Sequence, residues 1–96
     1  MATVTVPTDD EVQSPCIHLN GTSQDSLLET RSDAYYALQL AYDAVKQTAP
    51  NGRDYYVAGD DKALQRATDQ HMARLKAIEV VMKSIEREME LISAQE

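Results

Sequence analysis

Apolar residues recur through the second half of this chain at alternating spacings of three and four. His71, Leu75, Ile78, Met82, Ile85, Met89 and Ile92 make seven positions of unbroken alternation, with Leu64 one heptad before His71. Residues three and four apart stack on one face of an α-helix, so the stripe predicts a long amphipathic helix over about residues 61–93. Ala77, Val80 and Val81 widen its apolar face. The first half carries a shorter stripe of Leu28, Tyr35, Leu38, Tyr42, Val45 and Ala49, interrupted only by Arg31. It predicts a helix over about residues 24–48. Beside it runs a second apolar line, Leu27, Ala34 and Ala41, while Tyr36 and Leu40 lie on neither. A helix in a two-helix hairpin needs one apolar face, and this surplus calls for a further partner.

The polar punctuation between the stripes fixes their connection. Asn20-Gly21 signals a turn, and Thr22 or Ser23 then opens the first helix, with Thr22-x-x-Asp25 close to a capping box. Pro50-Asn51-Gly52 stops that helix and reverses the chain, and Asp60 or Asp61 can cap the second. The connection over residues 49–60 is short enough to make the helices antiparallel neighbours. The expected fold is therefore all-α. Residues 16–96 form an antiparallel two-helix hairpin that assembles into a homo-oligomeric helical bundle. Residues 1–15, with two prolines and no helical period, form a flexible or docking N-terminal arm.

Composition narrows the function. The chain has 96 residues, 16 acidic against 9 basic, and a net charge of −7. A surface this acidic repels a polyanion, which argues against duplex nucleic acid as a partner but leaves room for a small anion held by local positive groups. No apolar run approaches the ~20 residues of a membrane span, and the N-terminus lacks the pattern of a secretory signal. Cys16 is the only cysteine, which suits a reducing cytoplasm. His18 and His71 are the only histidines, too few with one thiol for a metal centre, and no catalytic motif is present. A non-enzymatic protein without cofactor or metal is expected. Glu79, Glu86, Glu88 and Glu90 lie off the apolar seam and read as a solvated face rather than a di-iron site.

Two polar segments exceed what connectors require. His18, Asn20, Thr22 and Ser23 gather at a helix N-terminus, where free backbone N–H groups can hold an anion or simply be capped. Asn51, Arg53, Asp54, Tyr55 and Tyr56 occupy a turn that fewer residues could make. Arginine pairs with phosphate and tyrosine stacks on planar bases; alternatively, the tyrosines fold over the hairpin end and Arg53 bonds Asp54. Lys46, Lys62 and Arg66 lie within about two turns of the same tip, diluted by Asp54, Asp60 and Asp61. In one hairpin the two segments are a helix length apart, ~37 Å, so a shared pocket needs neighbouring chains.

Ile17-His18-Leu19-Asn20-Gly21-Thr22-Ser23 with Leu27-Leu28, and Ala49-Pro50-Asn51-Gly52-Arg53-Asp54-Tyr55-Tyr56, resemble a group of small proteins of tailed bacteriophages and prophages. The resemblance covers about residues 17–93. In architecture the chain is also similar to phage anti-defence sponges, the anti-CBASS and anti-Thoeris proteins that sequester nucleotide messengers. These resemblances imply a counter-defence protein in the cytoplasm of an infected bacterial host, binding a nucleotide-derived signal at subunit boundaries. The other expectation is a protein-interaction module, either a virion or assembly component or an inhibitor docking a host protein.

Overall fold

The computed structural model describes residues 5–56 and 60–95. The first four residues of the expected arm, Val57, Ala58 and Gly59 of the connection, and Glu96 lie outside the described residues. Helices α1 (Gln24–Lys46) and α2 (Ala63–Ser93) pack against each other as an antiparallel hairpin, with a 3-10 turn at Gly52–Asp54 in the connection. No strand occurs among the described residues.

Local chemistry sets the helix ends. Ser23 rather than Thr22 caps α1, its Oγ accepting from the Ser26 N–H at 3.2 Å. At the other end the N–H groups of Gln47, Thr48 and Ala49 donate to Ala44, Val45 and Lys46, at 3.1, 2.9 and 3.2 Å. These three-residue bonds tighten the chain out of α geometry before Pro50, which disfavours helix in the residue preceding it. Ala49, last of the apolar stripe, thus falls beyond the helix and is exposed. Helix α2 starts two residues later than the spacing predicts. Lys62 occupies its cap position without a side-chain bond, and Asp60 instead accepts from the Lys62 N–H at 2.9 Å.

The seam between the helices follows the two stripes. Tyr35, Leu38, Tyr42 and Val45 of α1 are half-buried, as are Ile78, Met82, Ile85 and Met89 of α2. Among the described residues, full burial is confined to Leu27, His71, Leu75 and Ile92, with Ile92 completely enclosed. Two polar ties cross the seam. Arg31 Nε donates to Glu88 Oε1 at 2.8 Å, and the Tyr42 hydroxyl donates to Glu79 Oε1 at 3.0 Å. Arg31, which interrupts the apolar stripe, and Tyr42 thus engage Glu88 and Glu79, two of the four glutamates expected on a solvated face, and both carboxylates are half-buried. These ties fix the register, setting Leu38 about level with Val81 and Met82. Burial is greatest toward the two ends of the hairpin. The middle stays half-open.

The end opposite the turn is closed by side-chain amides. Gln24 Nε2 donates to the carbonyls of Ile92 and Gln95 at 3.0 and 2.8 Å. This is a second bond for the Ile92 oxygen, which also accepts from the Gln95 N–H at 3.2 Å, so that carbonyls of the last turn of α2 are satisfied. Gln95 then ties in the arm: its Oε1 accepts from the Ile17 N–H at 3.0 Å, and its Nε2 donates to the Pro15 carbonyl at 2.8 Å. The described arm thus returns to its own α2, where Asp9 shares a shallow recess with Lys83, Glu86, Arg87 and Glu90. Gln24→Ala should lower the free energy of urea unfolding by about 1–2 kcal/mol, because two part-buried hydrogen bonds are lost together.

Such a hairpin is long and thin, 64 × 30 × 20 Å, with a radius of gyration of 18.7 Å. A compact chain of this length would have a radius of roughly 12.5 Å. The accessible surface is 7423 Å². That is roughly 1,900 Å² above the roughly 5,500 Å² expected for a compact monomer of this mass. Tyr36 and Leu40 contribute to the excess at 61% and 72% exposure on the outer side of α1. No described helix is long and apolar enough to cross a membrane.

Candidate functional site

At the hairpin tip, Asn51 organises the turn. Its Oδ1 accepts from the Arg53 N–H at 2.9 Å and from Arg53 Nε at 3.3 Å, capping the short 3-10 element. The Asp54 N–H then donates to the Asn51 carbonyl at 3.0 Å, and the Tyr55 N–H to the Gly52 carbonyl at 3.1 Å. Arg53 consequently leans on Asn51 and leaves Asp54 free of it. Tyr55 is half-buried, whereas Tyr56 stands 77% exposed. Only one of the two tyrosines covers the hairpin end.

Beside this turn opens a cleft of about 460 Å³, lined by Gly52, Tyr55, Tyr56, Asp60, Asp61 and Leu64. Tyr55 and Tyr56 belong to its wall; Asn51, Arg53 and Asp54 stand outside it. Gly52, Asp60, Asp61 and Leu64 were not singled out as site residues by the spacing. The signal for Leu64 was its heptad relation to His71, which reads as core, yet at this end of α2 no residue of α1 lies opposite it. The two aspartates read as helix caps, and their second role appears only once the turn folds back toward α2.

Charge at the tip is partly spent. Asp60 pairs with Arg66, and this hydrogen bond, reinforced by the Lys62 N–H, holds the Asp60 carboxyl below the usual range. Lys46 lies 3.6 Å from Asp43 and over the Tyr42 ring at 5.6 Å from its centroid. Arg53 and Lys62 have no carboxylate partner among the described residues. A lowered carboxyl pKa stabilises the fold above the unfolded value, and that contribution disappears as pH falls through the folded value. The Lys62 amide resonance should therefore shift on acidification with a midpoint below ~3.9, the ordinary Asp value. Asp60→Asn should remove the transition in an NMR titration.

The second predicted group sits at the other end of the hairpin. His18, Asn20 and Thr22 are exposed, and their side chains make no hydrogen bond among the described residues; Ser23 is committed to the helix cap. The Gly21 N–H closes a turn on the His18 carbonyl at 3.1 Å. A Cβ on Gly21 would stand 2.7 Å from His18 Nε2, a clash that the exposed imidazole could relieve by rotating. Leu19 is 98% exposed. About 35 Å of helix separates this group from the tip, and the single chain does not bring the two together.

No family model, curated protein or solved structure matches this chain. The chemistry must be read from the residues. Two tyrosine faces and a leucine offer an apolar, stackable surface, and the two carboxylates beside them accept hydrogen bonds from amino groups. Arg53 and Lys62 stand outside the lining, each the next residue in the chain after a lining residue, Gly52 and Asp61. His71, buried on the seam with Nδ1 unpartnered among the described residues, adds no reactive group to the cleft. No group of three metal-ligating side chains forms among the described residues. Cys16 is exposed and free.

Proposed function

We propose that this chain is a non-catalytic, homo-oligomeric sponge of phage origin. In a host cytoplasm it would hold a nucleotide-derived immune signal at subunit boundaries. The observation that carries the reading is the tip cleft, with exposed Tyr56 in its wall and, beside it, Arg53 without an acidic partner among the described residues. An accessible aromatic ring and a guanidinium free of any described carboxylate, three residues apart on one turn, suit a ligand that is planar at one end and anionic at the other. The base lies against Tyr55 and Tyr56, its amino groups facing Asp60 and Asp61. The phosphates point outward, since those carboxylates repel them, toward Arg53 and Lys62. His18, Asn20, Thr22 and the turn before Ser23 supply further donors from a neighbouring copy.

Self-association draws support from the excess surface. Roughly 1,900 Å² beyond a compact monomer matches what two standard interfaces remove from one subunit, at ~800 Å² each. The resemblance of the two loop motifs to phage proteins supplies the biological setting. Titration calorimetry against cyclic dinucleotides, cyclic trinucleotides and ADP-ribose derivatives tests the proposal. Heat of binding by one of these classes is expected, and silence across all three would reject it.

Exposed Tyr36 and Leu40 favour a second reading, a module that docks another protein through the outer face of α1. There Leu40→Glu abolishes partner capture while Arg53→Ala leaves it intact, the reverse of the pattern expected for a sponge.

A further inference from the structure

One flank of the hairpin, where Ala34 of α1 and Ile85 of α2 line a common shallow recess, is apolar and only partly covered by the seam. On α1 it runs through Ala34, Leu38, Ala41 and Val45, and on α2 through Ile78, Val81 and Ile85, all at three-four spacing and therefore each on one helix face. None of the seven is fully buried, and both alanines are exposed. No charged residue interrupts either line. On α2 the line is bounded by Arg74 and Glu88, one basic and one acidic, each seven residues from Val81. Arg74 is exposed with no ion-pair partner among the described residues, whereas Glu88 faces Arg31.

That arrangement is self-complementary. We infer that a second copy of this chain covers the flank, related by a two-fold axis that crosses the hairpin at Val81 perpendicular to the helices. The axis runs each α2 antiparallel to the other and sets Arg74 level with Glu88 of the second copy, so at both ends of the strip the unpaired Arg74 can join Arg31 in sharing the Glu88 carboxylate. It also brings small alanines of one α1 against the other, where helices can approach closely. The location agrees with the burial pattern, because the half-open middle of the seam lies under this strip. A standard interface takes ~800 Å² from each partner, within the excess this chain exposes.

The same axis has a consequence for the site, and here the inference rests on the proposed function. Leu38 lies level with Val81, and it is fourteen residues from Gln24 in one direction and fourteen from Gly52 in the other. Rotation about Val81 therefore carries the start of α1, with Asn20, Thr22 and Ser23, to the level of the second copy's tip turn. Two polar segments separated within a chain become neighbours across the boundary, twice per pair.

Cysteine cross-linking tests the axis. Val81→Cys in a Cys16→Ser background should form a disulfide-linked dimer on mild oxidation, because residue 81 meets its own copy. Ala41→Glu, on an exposed position that leaves the hairpin seam intact, should raise the dimer dissociation constant at least tenfold with an unchanged circular dichroism spectrum. An oligomeric Val81→Cys protein that does not cross-link would overturn this interface while leaving self-association standing. A wild-type chain that sediments as a monomer would overturn both. Ligand binding by calorimetry reports on the sponge reading separately.

Discussion

Ile92→Ala should be the most damaging single truncation in the hairpin, lowering stability by about 2–4 kcal/mol. Ile92 is the one completely enclosed side chain among the described residues, and its carbonyl is also held by Gln24. Removing three carbon atoms leaves a void that neighbours fill poorly, since Gln24 and Leu27 are anchored by the amide bridge and the helix cap. A small domain has only ~5–10 kcal/mol in reserve, so the loss consumes a large fraction of it. Urea denaturation followed by circular dichroism should show the midpoint falling with little change in slope. An equal truncation at exposed Leu40 should cost under ~0.5 kcal/mol in a dilute sample, and parity between the two would contradict the enclosure described for Ile92.

The second large effect concerns the ligand. Tyr56→Ala should weaken binding of the nucleotide class found by calorimetry by about 10- to 100-fold, the scale of one lost aromatic stack. Arg53→Ala should do the same and also flatten the salt dependence, because a phosphate contact disappears. Neither should alter the unfolding midpoint appreciably, as both side chains are exposed. Tyr55→Ala mixes the two effects, since that ring is half-buried. Variants that bind as well as wild type would remove the tip from the proposal.

The helices were legible because each is specified by a repeated local signal. Seven stripe positions of α2 agree on one face, and every one of them turns out buried or half-buried. The turn was legible for a similar reason, as Pro50 ends a helix by its own geometry. Features that depend on distant residues meeting were not. Nothing around Gln24 marks it as the side chain that caps a helix 68 residues later, at Ile92. Arg31 reads as a flaw in a stripe until Glu88 is seen across from it. Helix α2 begins at Ala63 rather than at the aspartates because Asp60 bonds the Lys62 N–H, a local choice that two adjacent candidate caps leave open in the sequence. At the tip, sequence left open whether Arg53 bonds Asp54 and both tyrosines fold inward. The structure shows Arg53 against Asn51, a pairing made by one amide side chain that propensity does not reveal, and Tyr56 outward.

The Gln95 node affects more than the closed end. It pins Ile17 on one side of the His18–Thr22 stretch, while Ser23 and Gln24 pin the other. Five residues are thereby strung between two fixed posts less than two turns of helix apart in sequence. A segment so tethered has little conformational entropy left to surrender when something binds it. Its exposed side chains are held in place at low cost, and if the segment binds as proposed, cutting either tether should weaken that binding without unfolding the protein.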